Sequence, residues 1–559
     1  MPPFGTLPAL LLPGSAIVFS NDCPAIVKAM ARLAKVFLGD RVQICDGTAD
    51  DVQINAAIAA LPASGGKVWL SEGMFTIAAT ITITSKRVIL QGQGGLGFGW
   101  SGAFPADGSY YGCTILKVPA ALKDDVIRLA CANTAAATKA MYGATICDLA
   151  IIGQADGTGD GDNAGIMIDN SSGRAPDGVQ IYNVLITGIV WGAHAGYGIK
   201  VESGGEHRLH NLVISSCGRH GIEFCGTDSI LHDIIVFYTL GYAGLFMSSS
   251  SGCQVSDIYA YGCNDFGIQL DGGSPNTTNV YTNLHSEANN NYNIAVGYGG
   301  GGRHILMGGM VRNSLTGGGI LVEKNTDVVI DGFHIYDDDG TPTQEHGIYL
   351  LGAKRVLISN CIFEDNGQQA NNTWSDIYLG TSGGVHSTHN RVHGCIFRAT
   401  KANKVKYGIE EADANQDHNV YHDNYFDGGQ VTGKVLMLGV NSTARNNKGS
   451  TVDGKIIDPG NAGAIPVANN GQVALVTGGA ATRTLAIPTF SGQEITLSFK
   501  TDGGDCVVTV ASDLLYSADP GHNIITFANV GEFIKLEAVE NGAALQWGVI
   551  ALTGAVLSG

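Results

Sequence analysis

Gly165-Ile-Met-Ile, Gly198-Ile-Lys-Val, Gly221-Ile-Glu-Phe, Gly244-Leu-Phe-Met and Gly267-Ile-Gln-Leu share one pattern. Asn293-Ile-Ala-Val, Gly319-Ile-Leu-Val, Gly347-Ile-Tyr-Leu, Asp376-Ile-Tyr-Leu, Gly408-Ile-Glu-Glu and Val435-Leu-Met-Leu continue it. The starts are separated by 33, 23, 23, 23, 26, 26, 28, 29, 32 and 27 residues. A period of this kind marks a solenoid, in which each unit buries its apolar face only by stacking on its neighbours. Within the tetrad the side chains alternate with period two, so it is strand and not helix. The second position is Ile or Leu in every copy, from Ile166 to Leu436, and is expected to point inward. The third ranges over Lys200, Glu223, Gln269, Tyr349, Tyr378 and Glu410 and is expected to point outward. Such strands predict an all-β fold, a right-handed single-stranded parallel β-helix with rungs about 4.8 Å apart. The leucine signature of a leucine-rich repeat is absent.

A second strand precedes each tetrad and carries Asp148, Asn183, Asn211, Asp233, Asp257, Asn283, Asp331 or Asn360. Small polar side chains stacked at one corner can hydrogen-bond their own backbone and one another. They read as a structural ladder and not as catalytic carboxylates, with Cys361 and Cys395 stacked inside just after it. His210 and His232 precede ladder residues and read as a stack, and Lys200 and Glu223 as outward neighbours forming an ion pair.

Composition fits this picture. The chain has 559 residues with 79 glycines and only 15% charged residues, so many turns join strands of uncharged surface. A net charge of −18 argues against nucleic-acid or anionic-membrane partners, which require a basic face. No apolar run is long enough for a membrane span. Residues 8–20 are apolar, but no Lys or Arg precedes them and a proline interrupts them, which argues against a cleavable signal peptide. The twelve cysteines lack metal-ligand spacing and read as buried free thiols. Asp156-Gly-Thr-Gly-Asp-Gly-Asp162 looks calcium-like, but Met167 stands where an EF-hand has glutamate, so a flexible insertion is expected. No metal site, cofactor, Ser-His-Asp triad or P-loop is expected.

Ahead of the repeat, Asp46-Gly-Thr-Ala-Asp-Asp51 opens a helix through Leu61, capped by Thr48 or Asp50, with Ile54, Ala57, Ile58 and Leu61 on one face. Such a helix would plug the first rung. The order DGTADD, AAI, GGKVWL, EGMFTI and ILQGQG over residues 44–95 resembles the start of the pectate-lyase-like β-helix superfamily, which contains polysaccharide lyases, galacturonases and bacteriophage tailspikes. The resemblance implies the fold and a polysaccharide-directed role. Residues 1–43 form an attachment segment with an amphipathic helix over 21–40, capped by Asn21 or Asp22, whose Ile26, Met30, Leu33 and Phe37 need a partner. The β-helix is assigned to residues 44–452, a linker to 453–470 and a small β domain to 471–559, with strands over 493–500, 506–511, 523–527, 533–538 and 545–551. This terminal domain resembles modules of phage tail fibres and spikes, which implies a homotrimer and contact of the N-terminus with a virion tail.

The longer coils place the candidate site. Extra residues must leave the helix as loops, where binding is built. Tyr336-Asp-Asp-Asp-Gly-Thr-Pro-Thr-Gln-Glu345-His346 and Glu364-Asp365-Asn-Gly-Gln-Gln-Ala-Asn-Asn-Thr-Trp374 enter the same turn in successive coils, beside Tyr349 and Tyr378. Carboxylates Asp337, Asp339, Glu364 and Asp365 with His346, Tyr349, Trp374 and Tyr378 suit a polysaccharide: rings for sugar faces, paired acids for the glycosidic bond. Acids in adjacent rungs would suit a retaining pair and acids two rungs apart an inverting pair. A rival column runs Ser215, Phe237, Tyr261, Glu287, Arg312, Ile335, Glu364, Arg398 and Asp427. In it Glu287 and Arg312 read first as an inter-rung ion pair. Alternatively Glu287 and Asp265 form the acid pair, with Tyr261 and Arg312 holding an anionic sugar. Glu411, inward in its tetrad, is a further buried acid.

With the resemblance, these residues imply a tailspike-type protein that cleaves a bacterial surface polysaccharide by hydrolysis. The alternatives are a lyase on a uronic-acid polymer, or a non-catalytic adhesin. A virion tail is the expected location and secretion the alternative.

Overall fold

The structure, a computed structural model, describes residues 14–559 except 85, 95–111, 121, 123, 132–140, 154–162, 191–194, 272–277, 298–301, 339–342, 450–453, 457, 468–470, 516–520 and 543. Asp339 and the stretch from Asp156 to Asp162 therefore lie outside the described residues. The chain divides into two compact units, residues 1–315 and 316–559.

The first unit is a parallel β-helix. Its tetrad strands pair in strict register, Ile166 with Ile199, Ile199 with Ile222, Ile222 with Leu245, Leu245 with Ile268 and Ile268 with Ile294. Every one of these inward side chains is fully buried. The preceding strands, Arg208–Ser215, Ile230–Phe237, Gln254–Tyr261 and Thr278–Glu287, stack in parallel as a second face. Each bends at its ladder residue, which takes a left-handed backbone: φ is 49° at Asn211, 55° at Asp233, 55° at Asp257 and 51° at Asn283. Asn and Asp tolerate that region better than other non-glycine residues. Their side chains also link the coils, Asn183 Nδ2 donating to Asp148 Oδ1 (2.8 Å) and Asn211 Nδ2 to Asn183 Oδ1 (2.6 Å). Outside the ladder Tyr182, His210 and His232 stack with centroids 5.1 and 4.9 Å apart.

Two helices stand at the N-terminal end. Helix α1 spans Ala25–Leu38 and α2 spans Asp50–Ala59. Neither has the side-chain cap expected of it; the cap positions are Pro24 and Ala49. The acids do other work. Asp22 accepts the Met74 N–H, while Asp50 accepts the N–H groups of Gly47 (2.8 Å) and Thr76 (2.7 Å). Asp51 and Asn55 accept the N–H groups of Ala78 and Thr82, so α2 satisfies backbone donors that would otherwise form an open strand edge. Ile54, Ala57, Ile58 and Leu61 are buried as the pattern required. The other apolar face, Ile26, Leu33 and Phe37 on α1, is 66%, 63% and 78% exposed.

The second unit continues the motif with Ile320, Ile348, Ile377 and Ile409 in register. Two positions correct the expected alignment. Ile409 pairs with Val435, so Lys434 and not Val435 holds the tetrad's first place. In the coil of Asp331 the left-handed corner falls one residue later, on Gly332 (φ 71°). Ile335 is consequently inward and buried, and Tyr336 pairs with Glu364 in the outward column. Asn360 still bonds Asp331 across the rung, and Cys361 and Cys395 are fully buried beneath. Strands between residues 454 and 558 form two five-stranded sheets around a shared core that includes Trp547, Phe499 and Phe527. All twelve cysteines are free, and all but the half-buried Cys225 are buried.

Candidate functional site

In the second unit the turn after the bent strand lengthens, and its loops bring side chains over the outward column. His346 stands one residue before Gly347 and is 4% exposed. Its ring stacks on Tyr378 of the next coil (centroids 4.7 Å apart), and meets Tyr349 at 4.9 Å and Trp374 edge-on at 5.1 Å. Tyr349 and Tyr378 face each other across adjacent rungs at 5.1 Å. Four residues that the sequence proposes for sugar contact thus form one aromatic cluster. Burial holds the imidazole down at about 4, so it is neutral near pH 7, and pushes the Tyr349 phenol up to about 12. His346 Nδ1 lies 3.0 Å from both the backbone nitrogen and the carbonyl oxygen of Ser375, which fixes the ring in place.

Two carboxyls absent from the sequence-based site flank this cluster in unlike surroundings. Glu345, half-buried beside Tyr349, has its carboxyl raised by burial. Glu410 is the next outward residue after Tyr349 and Tyr378 and accepts from Lys406 Nζ (2.6 Å) and Ser375 Oγ (2.5 Å). The salt bridge to Glu410 in turn raises Lys406. Both glutamates were within reach of the sequence: Glu410 occupies the third tetrad position and Glu345 ends the first long loop.

The carboxylates of the expected acid pair serve the loops instead. Asp365 has a left-handed backbone (φ 53°) and accepts from Thr400 N–H (2.6 Å), Thr400 Oγ (2.6 Å) and Lys401 N–H (3.0 Å). It ties one loop to the next and has little accepting capacity left for chemistry. Asp337 is buried and accepts the Gln344 N–H (3.2 Å). Gln344 donates on to Asn366, and Asn366 to Asp376 Oδ1 (2.9 Å), joining both loops through an inner polar chain. Asp376 is fully buried, and burial pushes its carboxyl up to about 8. Glu364 lies in the outward column 3.1 Å from His334 Nε2 and 4.0 Å from Arg398. Glu411 accepts from Asn419, Tyr421 and the N–H groups of Leu438 and Gly439, a structural set.

The rival column in the first unit is an ion-pair cluster. Arg312 Nε donates to Glu287, Tyr259 hydroxyl donates to Glu287 Oε1 (2.5 Å), and His285 Nε2 lies 3.3 Å from Oε2. Burial alone would raise this carboxyl, but hydrogen bonds from His285, Arg312 and Tyr259 outweigh it and hold it at about 2. A group so acidic does not donate a proton near neutrality. Asp265 accepts from Asn291 Nδ2 (3.0 Å) and is raised by burial, and Tyr261 packs against Tyr238 at 5.3 Å. Among the described residues no three His, Cys, Asp or Glu side chains converge as metal ligands.

Comparison with known proteins finds two partial matches. Residues 44–269 match the family described as rhamnogalacturonase A/epimerase, pectate lyase-like, and residues 290–470 match the right handed beta helix region. No curated protein matches the sequence. The A-module of the Azotobacter vinelandii mannuronan C-5 epimerase AlgE6 is similar with a TM-score of 0.50 at 18% identity, over 72% of this chain and 96% of that one. The pre-mature bacteriophage phi29 gene product 12 is similar with a TM-score of 0.51 at 12% identity, over 88% of this chain and 69% of that one. At such identities the likeness to these two is one of fold. Stacked parallel coils with inward Ile side chains in each unit agree with both matches: residues 44–269 carry the pectate-lyase-like pattern and residues 290–470 that of a right-handed β-helix.

Proposed function

We propose that this protein binds an extended bacterial surface polysaccharide across the His346 cluster and hydrolyses it, with Glu345 as general acid and Glu410 as general base. The observation that carries this reading is the pair of carboxyls held in opposite environments beside one aromatic platform. A glutamate raised by burial is suited to hold the proton that the leaving oxygen needs. A glutamate fixed by a lysine and a serine hydroxyl is suited to take a proton from water. In the step, water attacks the anomeric carbon, Glu410 receives its proton, the C–O bond breaks and Glu345 protonates the departing oxygen. Two rungs separate the coil of Glu345 from that of Glu410, about 10 Å along the axis, which is near the separation of inverting enzymes.

The test uses isolated capsular polysaccharides and lipopolysaccharides, scored for new reducing ends, ultraviolet absorbance of unsaturated sugars, and the anomer first released. Glu345→Gln and Glu410→Gln should each lower kcat by 100-fold or more, on the order of an acid–base contribution, with KM nearly unchanged. Turnover that survives both substitutions rejects the assignment. Lys406 beside Tyr378 favours β-elimination on a uronate as the second reading, since it supplies a cation for the sugar carboxylate; unsaturated products would select it. Sugar binding with no turnover would select a non-catalytic adhesin. In the same reading the chain works as a homotrimer on a virion tail, or secreted, and the uncovered face of α1 supports self-association.

A further inference from the structure

The constellation around His346 occurs a second time, in the first unit. His220 stands before Gly221 as His346 stands before Gly347, and it too is buried and held neutral, at about 3, by burial. Its ring stacks on Phe246, the outward residue of the next coil, at 4.7 Å and 23°; the His346–Tyr378 values are 4.7 Å and 28°. Tyr242 lies two residues before Gly244, as Trp374 lies two before Asp376; the centroid distances are 5.3 and 5.1 Å, but the rings are tilted at 32° in one and edge-on at 86° in the other. Register extends the equivalence to the charged groups. Arg219 takes the place of Glu345, and Gln269, next after Phe246, takes the place of Glu410. Asp265 takes the place of Lys406.

We infer that this second constellation is a saccharide-binding site that does not cleave, resting on the reading of its counterpart as a saccharide site. Three of the four rings have counterparts, with Glu223 in the register place of Tyr349, and Tyr242 is 42% exposed at the rim. Both carboxyl positions of the proposed acid–base pair are replaced, one by a permanent cation and one by an amide. Arg219 is oriented by two rings, its guanidinium 5.3 Å from Tyr197 and 5.4 Å from Tyr242, and sets a permanent cation beside the rings. Such a site would bind saccharide without the acid–base chemistry proposed for its counterpart.

The experiment uses the full chain carrying Glu345→Gln and Glu410→Gln, so that ligand stays intact, with short fragments of capsular polysaccharide and of lipopolysaccharide O-chain as probes in calorimetric titration. Two fragments per chain are expected. Adding Tyr242→Ala should remove one, or weaken it at least tenfold, and adding Trp374→Ala should remove the other; Arg219→Gln should repeat the Tyr242 effect. Unchanged thermal unfolding checks that the variants fold. A single fragment lost with Trp374→Ala and untouched by Tyr242→Ala overturns the second site and leaves the first standing. Binding lost with Tyr242→Ala alone overturns the reading of the His346 cluster, and no binding by any probe overturns both.

Discussion

Asp376 shows how one side chain can depart from its column and leave a measurable trace. Most coils have glycine at this place, and Asn293 fills it in one, where its amide oxygen accepts from Asn289 (2.7 Å) and its NH2 donates to the Arg312 carbonyl (2.8 Å). Asp376 has Asn366 on one oxygen and no partner among the described residues on the other. The fold therefore favours the protonated acid, with a value of about 8 against an ordinary 3.8. A raised acid contributes stability that is complete below the ordinary value and is lost as pH climbs through the folded one. The unfolding temperature of the protein should fall between about pH 4 and 8 for this reason, and Asp376→Asn should flatten that slope. The variant should match the parent near pH 4 and exceed it near pH 9 by a few kcal/mol, on the order of the linkage involved. Parallel pH profiles for the two proteins would refute the account.

At the scale of the element, the bent strand and its ladder residue form the repeating device. Asn211 does two things at once: it adopts φ 49° and donates 2.6 Å to Asn183. Asn211→Ala loses both the tolerance for that backbone and the side-chain bond, for about 2 kcal/mol. Asn211→Gly keeps the backbone freedom and should cost roughly half as much. Equal losses in urea unfolding would mean that the backbone conformation is not what the residue supplies. Helix α1 makes a second argument at this scale. Its exposed residues 26, 30, 33 and 37 follow a 4-3-4 spacing, the seam of helices that pack on copies of themselves. Leu33→Glu with Phe37→Glu should lower the mass measured by light scattering towards that of one chain, while circular dichroism stays unchanged. A parent that is already monomeric at every concentration would remove the basis for a trimer through this helix.

The whole molecule was legible from its sequence to the degree that repetition amplifies weak signals. One Gly-Ile tetrad means little, but Ile166, Ile199, Ile222 and Ile268 at constant phase specify strand, face and register together. Slips came where a coil changes its corner residue: Gly332 takes over from Asp331, and Lys434 replaces the usual glycine. The candidate site was half legible. Tyr349 and Tyr378 could be placed in the outward column by periodicity, and His346 and Trp374, at the ends of the two long loops, meet them there. Loop carboxylates have no period, and nothing in the order of residues says that Asp365 turns inward to Thr400 while Glu345 remains beside Tyr349.

The same one-dimensional architecture governs how damage spreads. Ile222 is fully buried and pairs only with Ile199 and Leu245 in its sheet. Ile222→Ala should cost about 2–5 kcal/mol through lost burial and a residual cavity. Each coil contacts little beyond its neighbours, so the loss is not shared evenly over the chain. Hydrogen exchange should quicken most at the amides of residues 198–201, 222–224 and 245–248, and the effect should fade with each further coil in either direction. Leu284 and Ile305, coils away, should exchange nearly as in the parent at concentrations of urea below the transition. Uniform acceleration across the first unit would instead mean that it opens as a single cooperative block, and that the stacking of coils is not the unit of its stability.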